Sequence, residues 1–195
     1  MTVACASRPT VSEFQCKAGD WETIGFRDGA SGLQSTRLLE HQEACGEFSI
    51  VPDRSRYMAG WHTGMIEYCN PDNGFGLGKQ GKRIQSICQG KWRAPFAAAY
   101  EKGQTLFLAR KEVDRIGKQL QKYNVRLEQI QQKLVDLTSA QINTSLTSDA
   151  RLQMLSEMES LTREREEIKH LIPVVEEKLY ENEIRLEQLE KSLKP

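Results

Sequence analysis

The sequence lacks an excess of charge of either sign, and it lacks long apolar runs. Its 195 residues include 27 Lys and Arg against 27 Asp and Glu. The balance holds on both sides of Gly103, with 12 basic against 11 acidic residues up to that position and 15 against 16 after it. Nucleic-acid binding normally needs a basic excess that displaces counterions from phosphates, so we expect no nucleic-acid partner. No run approaches the roughly 20 apolar residues of a membrane-spanning helix.

Several motifs that would indicate chemistry are missing as well. No Cys-x-x-Cys pair occurs, although structural zinc sites usually contain one. The glycine-rich segment 74–81 lacks the Gly-x4-Gly-Lys-Ser/Thr form of a phosphate-binding loop, and no hydrophobic strand precedes it. No set of residues looks catalytic. We therefore expect no enzymatic activity, no cofactor and no metal.

The chain does contain five cysteines, and the first of them stands in a distinctive context. Thr2-Val3-Ala4-Cys5 resembles the end of a bacterial lipoprotein signal, in which the Cys becomes lipidated, although Leu is usual where Thr2 stands. The basic and apolar regions of such a signal are missing from the sequence. Either the sequence starts inside the signal, or the resemblance is chance and Cys5 is an ordinary cysteine. We expect a lipid on Cys5, and Ala6 after it fits sorting to the outer membrane.

The other four cysteines form an even set in a small glycine-rich segment, which favours disulfides in an oxidising compartment. Four cysteines allow three pairings. We favour Cys16–Cys45 and Cys69–Cys88 because both close local loops. Zinc is the alternative, because His41-x3-Cys45 would place two ligands one helical turn apart, and free thiols are a third possibility.

A weak internal repeat combines an aromatic residue with small residues at a spacing of three or four. Its four segments begin at aromatic residues and contain glycines: Trp21-Gly25-Gly29, Tyr57-Gly60-Gly64, Phe75-Gly78-Gly81 and Phe96-Tyr100-Gly103. Small residues at this spacing allow two helix backbones to approach closely. We predict short helices that pack through their glycine faces around the aromatic side chains. The alternative is that the glycines mark loops.

The last ninety residues follow two heptad seams, which predict a long antiparallel coiled-coil hairpin. The first seam is Val113, Ile116, Leu120, Tyr123, Leu127, Ile130, Leu134, Leu137 and Gln141. The second is Met154, Met158, Leu161, Arg165, Ile168, Ile172, Val175, Leu179, Asn182, Leu186, Leu189 and Leu193. We expect the first helix to begin near Pro95, and the turn to lie at 143–149, where Ser and Asp would cap the second helix.

Four features interrupt or widen the seams. Pro173 should kink the second helix toward the space that Gly117 leaves on the first. Arg165 and Asn182 are expected to fix the register of the two helices. Leu171 and Val174 widen the apolar stripe, so that a third helix could dock there.

An ordered series of residues characterises the first domain over about residues 16–103: Cys16-x3-Asp20-Trp21, Gly25-x2-Asp28-Gly29, His41-x3-Cys45, Asp53, Tyr57-x2-Gly60-x3-Gly64-x3-Tyr68-Cys69, Asn73-Gly74-Phe75-x2-Gly78-x2-Gly81 and Cys88. This series resembles a family of bacterial envelope proteins whose members are described as lipoproteins with a domain of unknown function. Such members typically begin with a lipoprotein signal that ends in Cys, which supports lipidation of Cys5. The family supplies no catalytic residues to carry over.

Together these observations predict an all-α protein in three parts: a lipid anchor and tether at 1–15, a disulfide-bonded domain at 16–103, and a helical hairpin at 104–195. We expect a non-enzymatic envelope lipoprotein in the outer membrane that faces the periplasm. It would act as a spacer or adaptor for protein partners, with homo-oligomers possible. One alternative is a ligand-binding or hydrolytic module that uses Asp20, Asp28, His41, Asp53 and His62, and another is a cytoplasmic coiled-coil scaffold.

Overall fold

The described part of the chain, residues 9–142 and 146–193 of a computed structural model, contains helices and no strands. The helices are α1 (Glu13–Ala18), α2 (Trp21–Ala30), α3 (Arg37–Gly46), α4 (Arg54–Tyr68), α5 (Pro71–Lys79), α6 (Arg93–Gln141) and α7 (Ser148–Ser192), with a short 3₁₀ turn at Gly90–Trp92. The chain divides into a first unit that extends to Phe107 and a second unit that begins at Leu108. The all-α prediction is confirmed.

Side-chain caps explain where several of the short helices begin. Ser12 and Gln15 form a reciprocal capping box at α1, and the side chains of Asp20, Asp53 and Asn70 cap α2, α4 and α5. Each cap satisfies a backbone N–H group that the first turn of a helix leaves unpaired.

Helices α2 and α4 pack backbone against backbone through their glycines. A Cβ atom on Gly29 would lie 2.2 Å from the carbonyl oxygen of Trp61, and one on Gly60 would lie 1.9 Å from that of Glu22. No side chain fits at such distances, so these positions require glycine. The predicted packing through glycine faces is therefore confirmed here, and the interpretation of these glycines as loop markers is wrong.

The same arrangement recurs between α5 and the first part of α6. A Cβ atom on Gly78 would lie 2.2 Å from the carbonyl oxygen of Tyr100, and one on Gly103 would lie 2.2 Å from that of Phe75. We call α2 with α4 the first copy, and α5 with the first part of α6 the second copy.

The turn that ends the first helix is also the same in both copies. Gly32 has φ +76° and Gly81 has φ +66°, a left-handed conformation that favours glycine. The amide of Leu33 donates to the carbonyl of Asp28 at 2.9 Å, and that of Lys82 donates to the carbonyl of Leu77 at 3.0 Å. Asp28 in the first copy therefore corresponds to Leu77 in the second.

A ring on the second helix of each copy closes this turn. The indole of Trp61 donates to the carbonyl of Leu33 at 2.8 Å, and the phenol of Tyr100 donates to that of Lys82 at 2.9 Å. The structure thus pairs the four repeat segments two by two. It matches Trp61 with Tyr100, which are both aromatic and stand four residues after Tyr57 and Phe96.

One disulfide belongs to each copy. Cys16–Cys45 and Cys69–Cys88 both have a Cα–Cα distance of 5.6 Å, and they follow the pairing that local loop closure favours. In each case, a Cys just before the first helix is joined to a Cys in the connector that leads to the second helix. The core around them contains buried aromatic and sulfur side chains, among them Tyr57, Trp61, Met65 and Phe96.

The second unit contains the two long helices, whose shielded residues follow the predicted seams. Every seam position named above is buried or half-buried. A central cluster is formed by Ile130, Leu134 and Ile168, with Tyr123, Leu127, Met158, Leu161 and Ile172 packed against it. Ion pairs of Arg126 with Glu164 at 2.7 Å and of Lys133 with Glu157 at 3.4 Å run in antiparallel order. A long antiparallel helix pair is therefore present.

Several details of this unit differ from the sequence prediction. The N-cap of α7 is Thr147, whose side-chain oxygen accepts from the amide of Ala150. Ser148 and Asp149 lie inside the first turn of the helix and do not cap it. Residues 143–145 of the predicted turn lie outside the described part of the chain. Pro173 stays inside an unbroken α7 and is exposed, and no atom of a neighbouring segment lies within 4 Å of a Cβ placed on Gly117. The prediction that Pro173 leans toward Gly117 is wrong.

The two polar seam residues bond along their own helix. Arg165 pairs with Glu166 at 3.0 Å, and the amide of Asn182 donates to the carbonyl of Lys178 at 2.8 Å. Neither has an ion pair or hydrogen bond to α6, whereas Arg126 bonds Glu164 from one helix to the other. Leu171 and Val174 are 37% and 47% exposed.

Candidate functional site

A buried polar cluster lies where three helices of the first unit meet. Asp28 stands near the end of α2, His41 in α3 and Tyr57 near the start of α4, and Thr10 approaches from the segment before α1. We call these four residues the Asp28 cluster. Tyr57 is fully buried, His41 is 1% exposed and Asp28 is 7% exposed. Buried groups of this kind require hydrogen-bond partners, because unpaired ones cost free energy.

Hydrogen bonds join the cluster in a row. The Tyr57 hydroxyl donates to Asp28 Oδ2 at 2.8 Å, and His41 Nε2 lies 2.8 Å from the same oxygen. The Thr10 hydroxyl lies 2.6 Å from His41 Nδ1. At the other oxygen, Arg37 Nε is 3.8 Å from Asp28 Oδ1. No buried side-chain N or O atom of the described residues is left without a partner.

Burial and the neighbouring carboxylate together raise the pKa of Tyr57. Burial is the larger cause, because the phenolate would lose its hydration, and the hydrogen bond to Asp28 also favours the neutral phenol. Tyr57 therefore remains a hydrogen-bond donor at any physiological pH, which keeps Asp28 Oδ2 occupied.

Only two of the five polar residues considered for a ligand-binding or hydrolytic site come together. Asp28 and His41 are bonded, but Asp20 caps α2 through the amide of Thr23. Hydrogen bonding from the side chain of Thr23, and then from its amide, lowers the pKa of Asp20. Asp53 caps α4 through the amide of Arg56 at 3.0 Å. His62 is exposed and lies edge-on to Trp92, with ring centroids 5.9 Å apart. The hydrogen bonds and ring contact of Asp20, Asp53 and His62 therefore do not join them to Asp28 and His41.

A row of hydroxyl, imidazole and carboxylate groups also invites comparison with nucleophilic catalysis. Here Asp28 Oδ2 is shared between His41 and Tyr57, and the imidazole is 1% exposed. A substrate could reach the imidazole only if the segment around Thr10 were displaced. The arrangement is better suited to holding that segment on the domain.

The repeat supplies an internal comparison for this cluster. The close approach of Gly25 to the carbonyl of Tyr57 corresponds to that of Gly74 to Phe96, so Tyr57 matches Phe96 just as Asp28 matches Leu77. The second copy builds the same helix pair with apolar residues at both positions. The shared architecture therefore does not require the polar cluster.

Part of the Asp28 cluster could have been predicted from the sequence. Tyr57 was identified as a core aromatic residue, and a buried tyrosine hydroxyl needs a partner. An alignment of the two glycine turns would have set Asp28 against Leu77. Nothing in the sequence indicated Thr10, because its contact with His41 joins residues 31 positions apart.

The zinc alternative does not fit the geometry. His41 is bonded on both ring nitrogens, and Cys45 is in a disulfide. Within residues 9–142 and 146–193, no group of three or more His, Cys, Asp or Glu is placed to hold a metal ion.

A surface cleft of about 420 Å³ lies in the second copy, between its connector and the start of α6. Ile84, Phe96 and Ala97 give it an apolar part, and its polar residues include Gln85, Ser86, Gln89 and Arg93. In the first copy, the connector contains α3, and His41 packs edge-on to Tyr57 with centroids 5.8 Å apart. The second connector has no α-helix, and Phe96, the counterpart of Tyr57, lines this cleft.

The geometry thus defines an all-helical, disulfide-bonded domain built from two copies of a glycine-packed helix pair, followed in sequence by two long antiparallel helices. Residues 20–105 match the family model described as Protein of unknown function (DUF2799). The matched residues include both copies of the helix pair. A comparison with curated proteins found no match, and neither did a comparison with solved structures. Among the described residues, no helix has the length and apolar character needed to cross a membrane, and Cys5 lies outside them.

Proposed function

We propose that this protein is a non-enzymatic lipoprotein of the bacterial cell envelope. In this proposal a lipid on Cys5 anchors it in the outer membrane, facing the periplasm, and it acts as a spacer or adaptor that binds protein partners. The observation that carries the proposal is the antiparallel helix pair. Its seam is shielded along its whole length, while the other faces of both helices are largely charged and exposed.

The length of the helices supports the role of a spacer. At 1.5 Å per residue, helices of 49 and 45 residues are roughly 65–75 Å long. A helix pair of this length can hold two binding sites at a fixed distance. The exposed apolar side chains on it, Leu152 and Tyr180 among them, offer contacts to a partner.

The two disulfides support an oxidising compartment such as the periplasm. A cytoplasmic scaffold would instead have reduced thiols. Mass spectrometry of the protein isolated from cells under non-reducing conditions separates the two, and it also reports whether Cys5 carries a lipid. Two intact bridges with a lipidated Cys5 are expected, whereas free thiols would exclude the envelope proposal.

A heptad deletion distinguishes a spacer from an adaptor. Removing residues 123–129 together with 161–167 deletes facing heptads, keeps the seams in phase and shortens the pair by about 10 Å. The matched control keeps the length but exchanges the exposed charged residues of the same heptads. After cross-linking in envelope membranes, a spacer loses its partner only in the deletion, whereas an adaptor that binds through this surface also loses it in the control.

A ligand-binding module is the second candidate, because the cleft beside Phe96 falls within the size range of small-molecule pockets. The polar residues that line this cleft do not include any of the five that the sequence indicated for a ligand-binding or hydrolytic site. A screen of envelope metabolites by thermal shift, repeated on Arg93→Ala, tests it. A ligand that stabilises the native protein but not the variant would favour this candidate.

A further inference from the structure

The segment before α1 is fixed to the first unit at Thr10 and Val11. The Thr10 hydroxyl lies 2.6 Å from His41 Nδ1, and Val11 is 4% exposed and belongs to the core. A few residues later, Cys16 is joined to Cys45. The segment at Thr10 and Val11 is therefore held at a fixed position on the first unit.

The Asp28 cluster is what distinguishes this attachment from the rest of the fold. His41 bonds Thr10 through one ring nitrogen and the buried Asp28 through the other. Because the second copy has Leu77 and Phe96 in place of Asp28 and Tyr57, the helix pair alone does not explain these polar groups. These polar groups orient the imidazole of His41 so that its Nδ1 atom can bond the hydroxyl of Thr10.

Fixing Thr10 leaves a short tether. Four residues lie between Cys5 and Thr10, and the five steps from one Cα atom to the next span at most about 18 Å in a fully extended chain. If Cys5 carries a lipid, as the proposed function has it, the surface around Thr10 must stay within that distance of the membrane. The polar headgroup layer is itself roughly 5–8 Å thick on each side of the bilayer.

The helices that carry this attachment present apolar side chains to solvent. Phe14 on α1 is 80% exposed, and Leu39, two residues before His41 on α3, is 61% exposed. Glu13 is paired with Lys17 at 2.6 Å beside Phe14, and Arg37 with Glu40 at 3.4 Å beside Leu39, whereas Glu43 adds an exposed negative charge to α3. Phe and Leu are the kind of apolar side chain that a helix lying on a membrane inserts at the headgroup boundary.

We propose that Thr10, His41 and Asp28 form a clamp that keeps the tether short and thereby holds Phe14 and Leu39 against the bilayer. The partner of this surface is a lipid headgroup layer. The proposal rests on the proposed function, because it takes a lipid on Cys5 as given.

The test supplies the anchor chemically. Four of the five cysteines are in disulfides, so a maleimide phospholipid in phosphatidylethanolamine–phosphatidylglycerol vesicles will couple at Cys5. In the variant Phe14→Trp, acyl chains brominated near the headgroups should quench more than half of the added emission. The native protein gives the baseline, which includes the buried Trp21 and Trp61 and the half-buried Trp92.

The matched control is Arg83→Trp, an exposed position on the connector of the second copy. Its added emission should be quenched less than a quarter as much. Equal quenching at both positions, or none at position 14, would overturn the proposed surface.

Two further variants test the tether and the clamp. Ten Gly and Ser residues inserted between Ser7 and Arg8 should lower the ratio of lipid-contacting to free protein about fivefold, because effective concentration falls with roughly the −3/2 power of tether length. An unchanged ratio would exclude the short tether as the cause. Thr10→Val removes only the hydroxyl, and hydrogen exchange at the amides of Val11 and Ser12 should become at least tenfold faster; an unchanged rate would show that Thr10 does not clamp the segment.

The synthetic anchor separates this inference from the proposed function. Failure in vesicles would leave the envelope proposal standing. Conversely, a Cys5 without lipid in cells would remove the biological role of the surface, but it would not change the result in vesicles.

Discussion

The two units of this chain pack helices in opposite ways. In the first unit, the contact between α2 and α4 depends on missing side chains, since a Cβ on Gly29 would lie 2.2 Å from a backbone oxygen. In the second unit, the contact between α6 and α7 depends on side chains that fill a seam, with Ile130 fully buried at its centre. The first kind of contact fails when atoms are added, and the second fails when atoms are removed.

The largest effect is expected from adding one methyl group to the first unit. Gly29→Ala should destabilise it by about 3 kcal/mol or more, because the two backbones must separate and the core between them opens. The measurement is urea unfolding followed by the fluorescence of Trp21 and Trp61. Gly117→Ala is the control in the second unit: it has open space and a helical backbone, and should stabilise that unit by about 1 kcal/mol. Similar losses of stability in Gly29→Ala and Gly117→Ala would contradict the difference in packing between the two units.

Reduction of the disulfides should destabilise the first unit and leave the second unit folded. Loops of 29 and 19 residues correspond to about 3–4 kcal/mol each from restriction of the unfolded chain. Reduction is therefore expected to lower the melting temperature of the first unit strongly. Circular dichroism should show that the long helices stay folded, and the pair Cys16→Ala with Cys45→Ala should reproduce part of the loss. Melting of both units together on reduction would contradict independent packing.

Removing atoms from the seam should produce the complementary effect. Ile130→Ala is expected to cost roughly 2–4 kcal/mol in the second unit, because it leaves a cavity among Leu134, Ile168 and their neighbours. Val135→Ala, at a position that is 48% exposed, should change stability by less than about 0.5 kcal/mol. Thermal unfolding of residues 108–195 within the whole chain checks both, and an equal effect of the two would contradict the seam.

The smallest effect concerns alkaline pH and belongs to the first unit. Since the pKa of Tyr57 is raised in the folded state, the unfolded chain releases this proton first, and stability must fall as pH rises above about 10. The expected slope is about 1.4 kcal/mol per pH unit for each such tyrosine. Tyr68, whose pKa burial also raises, should contribute in the same direction.

The measurement uses a Cys5→Ser background, which prevents thiol–disulfide exchange at alkaline pH. In that background, Tyr57→Phe should reduce the pH slope of stability by about 1.4 kcal/mol per pH unit. The exposed Tyr180→Phe provides the control and should leave the slope unchanged. A slope that persists in Tyr57→Phe would contradict the raised pKa of Tyr57.

The seams show how much of this fold was predictable from the sequence. Every seam position that heptad spacing identified is buried or half-buried, because a helix repeats its faces at a fixed period whatever surrounds it. The same logic failed at Pro173 and at Arg165, since neither the response of a helix to proline nor the direction of a long side chain follows from spacing alone.

The glycine segments were predictable as helices but not as pairs. Spacing gave each glycine face, yet it could not say that α2 would meet α4 and α5 would meet α6. The residues of the Asp28 cluster are drawn from four separate segments, and Thr10 carried no signal of its own. Contacts between distant residues depend on the tertiary arrangement, which a local pattern does not contain.

The amino-acid sequence by itself determined the helical class, the seam positions and the glycine faces of the short helices, because each depends on periodicity. Local loop closure also favoured the cysteine pairing that the structure has. The tertiary structure alone decided that the repeat is two copies of one helix pair, that Asp28 and Tyr57 stand where the second copy has Leu77 and Phe96, and that Thr10 is bound by His41. These features arise from close packing between segments far apart in the chain, where the burial of one polar group is possible only because another reaches it.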